Sequence, residues 1–378
     1  MSAYLDNAAT SWPKPEVVYQ AVDHFMREVG ATPGRGGHRR EEEAAQIADQ
    51  ARSAIAELFH APDSAGVAFT MNATQAINMA LKGLLVPGDH VITSSIEHNA
   101  IWRPLKALER RGVAVTAVRC ARDGVLAPAD VEAAIRPDTR LIAMLHASNV
   151  LGTILPVNEV GVLAHKHGIP FLVDAAQTAG AYPIDMQSMN IDLLAFPGHK
   201  GLFGPHGTGG LVVRPGLVLE TWIEGGSGTE SGPETMPDTL PLHLEAGTQN
   251  AAGIAGLLAG VHFVLEQGVE QIRKHEMALT ALLMEVLREA PGVRVLGPSD
   301  LSPRAAVVSV TVKGYVPDQL AMVLDQVFEI AVRAGLHCAP QAHRAAGTLK
   351  SGALRFSPGY FNTADEIRTA ALALLSIL

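Results

Sequence analysis

Lys200 lies in the run FPGHKGLFGPHGTGG, framed by glycines at 198, 201, 204, 207, 209 and 210. An amine on such a loop can condense with a carbonyl compound, because glycine lets a bulky group come close to the backbone. Alone, a lysine beside a histidine in a glycine-rich loop is ordinarily a solvated surface pair. A second group is Asp174, which ends the apolar run of FLVDAAQ. An ionised carboxylate there can keep a heteroaromatic ring nitrogen protonated, or it can simply cap a helix. Gln177, one turn later, is within reach of a hydroxyl on the same ring. In FTMNATQAINMA a strand pattern runs into a helix whose first turn contains Ala73 and Thr74. Free N–H groups and the helix dipole make that turn a phosphate cradle. His98 in SSIEHNAI offers a flat ring for stacking, and Asn149 follows RLIAMLHA in HASNVLG. Each of the last two, alone, is more often a satisfied loop residue.

Amine, ring-nitrogen carboxylate, phosphate cradle and flat ring are the parts that pyridoxal 5′-phosphate (PLP) needs. They are useful only if a frame brings distant segments together. From about Val67 to Val213, β-rich runs alternate with helical patterns: VAFT, ATQAINMALKGLL, HVITS, RLIAMLHA, a helix near Glu159–His167, and PFLVDA. The alternation predicts an α/β fold with a mostly parallel sheet covered by helices on both faces. Ligands collect at the carboxyl ends of such strands, and each polar cluster above directly follows one, as Lys200 follows a predicted strand over Asp192–Phe196.

Beyond Gln249 the pattern changes. Two long helices over about Asn250–Ala290, the turn-rich Gly297–Pro303 and a strand over Ala305–Val312 describe a smaller α+β lobe. It closes on a helix in which Thr363 and Glu366 have capping-box spacing and Ile367, Ala370, Ala371, Leu374 and Ile377 share one face. The amphipathic segment Pro15–Val29 is expected to lean on this lobe. The expected division is a large PLP-binding domain over 15–260 and a small domain from 1–14 with 261–378. GGSGTESG, at Gly225–Gly232, is expected to be mobile.

Bulk composition agrees with two lobes, since single cores stop growing near roughly 250–300 residues and this chain has 378. Hydrophobic residues at 48% against 18% charged give enough apolar surface to fold. With 29 basic and 38 acidic residues, and no basic run beyond Arg35, His38, Arg39 and Arg40, a nucleic-acid surface is not expected. The apolar stretch Ala251–Leu265 is shorter than the roughly 20 residues of a membrane span and is expected to be a buried helix. MSAYLDNAAT shows no secretory signal, which points to the cytoplasm. The two cysteines, Cys120 and Cys338, lack zinc-ligand spacing, so no metal is expected. They suit a reducing compartment.

In their order along the chain, these parts resemble the fold-type I PLP enzymes, and within them the class V aminotransferase and cysteine desulfurase family. The phrases that carry the resemblance are YLDNAAT, SNVLGT, VDAAQ, GHKGLFGP, EAGT and RAGLHCAP, spread over nearly the whole chain. The sequence is most similar to the group II, sulfur-mobilisation type, which includes selenocysteine lyases. The resemblance implies Lys200 as Schiff-base lysine, Asp174 as partner of the ring nitrogen, Gln177 as contact to the ring hydroxyl and His98 as the stacking residue. It implies Ala73, Thr74 and His199 as phosphate ligands, and Thr248 of EAGT as a residue reaching the phosphate in a neighbouring subunit, hence a homodimer. Asn149 and Arg355 are implied as holders of the substrate carboxylate, a task suited to a guanidinium fork. Pro197 departs from the family pattern, which often has Ser or Thr there; the lost hydroxyl is expected to weaken phosphate binding modestly.

Cys338 in RAGLHCAP occupies the position of the group II nucleophile, and His337 and Arg333 are expected to favour its thiolate. Cys120 is expected to be structural. The implied reaction is desulfuration of L-cysteine, or of L-selenocysteine, giving L-alanine and a persulfide on Cys338, with Lys200 and His98 as proton carriers. That would serve sulfur metabolism, iron–sulfur cluster assembly included, with a sulfur-acceptor protein as a further partner. Alternatives on the same scaffold are a carbon–sulfur β-lyase, which yields pyruvate and ammonia, an aminotransferase and an epimerase. A non-catalytic scaffold binding a sulfur carrier is the reading of another class, distinguished by lack of visible cofactor absorbance.

Overall fold

The β-rich runs between Val67 and Val213 form strands of one sheet, and the helical patterns between them form its covering helices. The structure, a computed structural model, describes residues 3–34, 37–228, 232–301 and 304–378. In chain order the strands are β1 (Ala3–Tyr4), β2 (Val67–Thr70), β3 (His90–Ser94), β4 (Ala114–Val118), β5 (Thr139–Leu145), β6 (Phe171–Asp174), β7 (Leu193–Pro197), β8 (Gly209–Val213), β9 (Val293–Val295), β10 (Val308–Val312), β11 (Ile330–Ala331), β12 (Arg333–Gly335) and β13 (Ala353–Phe356). The helices are α1 (Glu16–His24), α2 (Arg39–Leu58), α3 (Ala73–Leu84), α4 (Asn99–Glu109), α5 (Pro128–Ala133), α6 (Val157–Lys166), α7 (Ala251–Gln267), α8 (Val269–Glu289), α9 (Pro317–Phe328), α10 (Pro340–Ala346) and α11 (Ala364–Ile377).

The large sheet has the order β2-β8-β7-β6-β5-β3-β4 and is parallel except for β8, which runs against both neighbours. Every residue of β6 and β7 is buried, as continuous apolar strands must be when helices cover both faces. Four carboxyl ends therefore line up along one rim. They lead to His98 from β3, Asn149 from β5, Asp174 from β6 and Lys200 from β7.

A second sheet, β12-β13-β10-β9, is antiparallel throughout. Helices α8, α9 and α11 pack on it around Leu283, Val310, Leu324, Phe356, Ile367 and Leu374. The capping box at Thr363 and Glu366 is formed with both of its reciprocal hydrogen bonds. β1 pairs in parallel with β11, so the N-terminus joins this lobe before crossing to the large sheet. The crossing brings residues 6–14 against the site.

Two expectations need revision. The segment after Pro15 does not lean on the small lobe: α1 and the π turn Phe25–Val29 pack on α2 and α7, with Phe25 and Val29 buried beside Ala44 and Ala255. The reason is the smoothness of α7, where a Cβ on Gly256 would come within 2.7 Å of Val22 Cγ2. The strand expected from Ala305 starts only at Val308, because Arg304 bridges to Thr153 and Ala305 N–H donates to Gly152 O. The apolar Ala251–Leu265 is α7, largely buried; no single described helix is long and apolar enough to cross a membrane, and α7 and α8 are bent by 81° where they meet. Arg35 of the basic run, Thr229–Ser231 of the glycine-rich loop and Ser302–Pro303 of the turn-rich run lie outside the described residues.

Candidate active site

The Lys200 loop begins as β7 ends. Gly198 is required there, since a Cβ would meet Thr208 Oγ1 at 2.2 Å. The N-terminal segment holds the loop from below. Ser11 Oγ donates to Lys200 O and Lys14 Nζ to His199 O, both at 2.8 Å, and Thr10 Oγ1 donates to His199 O at 2.9 Å. With its backbone so occupied, the loop presents the Lys200 amine as its free chemical group. Burial pushes that amine down to about 8, with Asp174 opposing the shift and the Arg355 and Arg333 charges adding to it. A depressed amine is a better nucleophile near neutrality. Capture of PLP by the cofactor-free protein should therefore speed up roughly tenfold per pH unit below about 8 and level off above it. Stopped-flow absorbance checks this; a profile still rising above pH 10 would mean that the amine is not depressed.

Asp174 is 3% exposed, and its Oδ1 accepts the Ala176 N–H at 2.9 Å. Burial raises it to about 6, opposed by the Ala176 hydrogen bond and the Lys200 charge. It is still an anion at neutral pH, as a partner for a protonated ring nitrogen must be. Gln177 lines the same cavity as Lys200, and its Nε2 donates to Ala8 O at 3.1 Å. His98 is the N-cap of α4: its Nδ1 accepts the Ala100 N–H at 3.0 Å, while burial first and Lys200 second push it down to about 4. A neutral ring with Nδ1 accepting carries its proton on Nε2. It can donate there, but its acceptor nitrogen is occupied, so of the two expected proton carriers the geometry favours Lys200.

The expected phosphate cradle is the first turn of α3. Its N-cap is Asn72, whose Oδ1 accepts the Gln75 N–H at 3.0 Å; Thr74 lies exposed in the first turn. The N–H groups of Ala73 and Thr74 precede any intrahelical acceptor and are available to an anion. His199 stacks on His206 at 4.9 Å, and burial pushes it down to about 3. Thr248 is exposed and lines a separate opening with Thr70, Gln75 and Gly207; it does not join the Lys200 cavity within one chain.

Arg355 is 1% exposed. Its Nη2 donates to Asp6 Oδ1 at 2.5 Å and its Nη1 to Asn149 O at 3.2 Å. Asn149 in turn donates from Nδ2 to His337 O at 2.7 Å. The Asn99 N–H donates to Cys338 O at 2.9 Å. The Cys338 loop is thus pinned at two successive carbonyls to the rim of the large sheet. His337 and Cys338 have φ of 51° and 56°, a left-handed pair that costs of order 1–3 kcal/mol per residue unless surrounding bonds enforce it. The Cys338 side chain is exposed, whereas Cys120 is buried. His337 is not the positive neighbour expected for the thiol. It is buried, pushed down to about 3 chiefly by burial, and its ring faces His343 and Arg333 O.

Two residues that the sequence reading passed over join the site: Asp6, the carboxylate partner of Arg355, and Lys14, which clamps the lysine loop. Asp6 stood in plain view inside YLDNAAT, but its partner lies 349 residues away in sequence. The arrangement fits PLP and an amino acid by one further test. Of seven buried side-chain polar atoms without a partner among the described residues, three are His199 Nδ1, Asn149 Oδ1 and Arg355 Nε. Each orphan costs about 1–3 kcal/mol; a phosphate would accept from His199 Nδ1 and a substrate carboxylate from Arg355 Nε, while Asn149 Oδ1, an acceptor, suits an N–H or O–H of the cofactor or substrate.

The model of the aminotransferase class-V family matches residues 3–369. A probable cysteine desulfurase of Methanothermobacter thermautotrophicus is 36% identical over 372 residues, covering 97% of this chain and 92% of that protein. Among solved structures, the apo cysteine desulfurase of Thermococcus onnurineus NA1 superposes with a TM-score of 0.94 at 32% identity, covering 100% of this chain and 94% of that one. A cysteine desulfurase of Escherichia coli in its S-sulfonic acid form gives 0.89 at 29% identity, over 99% and 95% of the two chains.

Proposed function

The chain belongs to the class-V aminotransferase family, and we propose that it is a PLP-dependent cysteine desulfurase that leaves L-alanine and a persulfide on Cys338. The observation that carries this reading is the double role of Asn149, whose carbonyl holds Arg355 while its amide holds the carbonyl next to Cys338. One residue thereby sets the spacing between the group for a substrate carboxylate and the group for a substrate sulfur.

Bound PLP supplies an electron sink for charge that develops at the substrate α-carbon. Lys200 and Asp174 would hold it at the aldehyde and the ring nitrogen, His98 over its face, Gln177 at its hydroxyl, and Ala73, Thr74 and His199 at its phosphate. Arg355 grips the substrate carboxylate with the N–H groups that Asp6 and Asn149 do not use. Lys200, once its amine is released, takes the proton from the α-carbon. Cys338, as thiolate, attacks the substrate sulfur: a sulfur–sulfur bond forms, the carbon–sulfur bond breaks, and its electron pair stays with carbon. Two protons complete alanine, one on the methyl carbon and one restored to the α-carbon through Lys200; they balance the proton taken from the α-carbon and the one lost by the Cys338 thiol. No external oxidant or reductant is needed.

The exposed Thr248, away from Lys200 in its own chain, supports a homodimer in which it reaches the neighbouring cofactor. The exposed Cys338 supports a sulfur-acceptor protein as partner, and two free thiols support a cytoplasmic site. Selenocysteine would use the same carboxylate and thiol machinery. Incubation of the PLP-loaded protein with L-cysteine tests the whole: without reductant, alanine should form in step with one persulfide per chain, and with reductant it should continue with release of sulfide. Pyruvate and ammonia in place of alanine would establish a β-lyase instead.

A further inference from the structure

Behind the Cys338 loop an open cavity is bordered by Arg119, Arg122, Gln341, Arg344 and Ser95. Arg294, from β9, lies beside it: its Nη2 and Arg122 Nε both donate to Ala346 O, at 3.3 and 3.4 Å. Four guanidinium groups thus gather around the carboxyl end of α10. In a chain with 38 acidic and 29 basic residues, none of these four has a carboxylate within 4 Å among the described residues. Elsewhere six arginines pair with carboxylates, Arg27, Arg52, Arg136, Arg214, Arg355 and Arg368, whereas others, Arg103 and Arg140 among them, have no ion pair among the described residues.

Capping α10 does not account for the cluster. One carbonyl takes two N–H groups, and Arg344 gives one more to Gln341 Oε1. Arg119 makes no hydrogen bond or ion pair among the described residues. Each guanidinium has five donors, so most remain unassigned around one opening, where like charges repel. From this we infer that the cavity is a binding site for a small phosphate-class oxyanion, separate from the cofactor cradle at α3. Guanidinium forks match tetrahedral oxyanions bidentately, and three forks border the opening. An anion held there ties the turn after β4 to α10. Since α10 begins two residues beyond Cys338, the bound anion steadies the Cys338 loop. The inference rests on no step at Lys200.

The test uses the PLP-loaded protein, so that the α3 cradle is filled, titrated with inorganic phosphate and with pyrophosphate at constant ionic strength against potassium chloride. At about ten times its Kd the anion should raise Tm by about 1–3 °C and should measurably slow iodoacetamide alkylation of Cys338, followed by peptide mapping. R119A/R344A should lose both effects while forming alanine at the parent rate, and Arg344→Lys, which keeps charge without the fork, should respond weakly. Equal effects from chloride, or an unchanged response in R119A/R344A, would overturn the site. So would binding of a polyglutamate peptide with no response to phosphate, which would assign the cavity to an acidic protein segment.

Discussion

Lys200→Ala leaves a folded protein that no longer fixes PLP covalently and turns over at least about 10⁴-fold more slowly. The figure follows from removing two functions at once, since a positioned acid–base group alone contributes about 10²–10⁴-fold and the amine also anchors the cofactor. Borohydride should attach PLP to the peptide containing Lys200 in the parent and to no peptide in the variant. A small exogenous amine should restore part of the proton transfer. The fold has no need of this amine, because Ser11, Thr10 and Lys14 hold the loop through main-chain carbonyls. Stability carries its own signature. The amine is about 8 in the folded chain against an ordinary value of 10.5, so between those limits the unfolded chain binds more protons and stability of the cofactor-free parent rises with pH. Urea midpoints of the variant should lack that rise. Covalent PLP on the variant, or turnover within tenfold of the parent, would remove Lys200 from the centre of the site.

Cys338→Ala should separate the two halves of the reaction. Cofactor absorbance and exchange of the substrate α-proton in deuterated water should persist, because Lys200, Asp174 and Arg355 are untouched. Alanine formation should fall by about 10²-fold or more, as loss of a nucleophile that divides one difficult step into two removes several kcal/mol of barrier lowering. Folding should change little, since the side chain is exposed and the loop is held by carbonyls of residues 337 and 338. Sulfide release at the parent rate would refute the persulfide role and leave Lys200 chemistry standing. Loss of α-proton exchange would instead show that the loop positions the substrate.

Much of the site was legible because its groups obey local rules. Asp174, Lys200, His98 and Asn149 each follow an apolar run that had to be a strand, and the glycines around Lys200 announce a close approach. The Asp6–Arg355 pair was not legible, since nothing local distinguishes an aspartate in a turn from one that meets an arginine across the molecule. His337 shows the opposite failure. Its type suggested a charge beside the thiol, yet burial against His343 makes it neutral. The α1 segment was legible as amphipathic, but a hydrophobic stripe does not name its partner; the small side chains of α7 made that choice.

What the sequence by itself determined is therefore the chemistry available and the strand ends that carry it, because hydrophobic periodicity and glycine placement act over a few residues. Only the tertiary structure decided which groups meet, which are charged, and how the thiol loop is held. Pairing across hundreds of residues, desolvation of His98, His199 and Lys200, and the double hydrogen bond of Asn149 arise from packing, which no local pattern encodes.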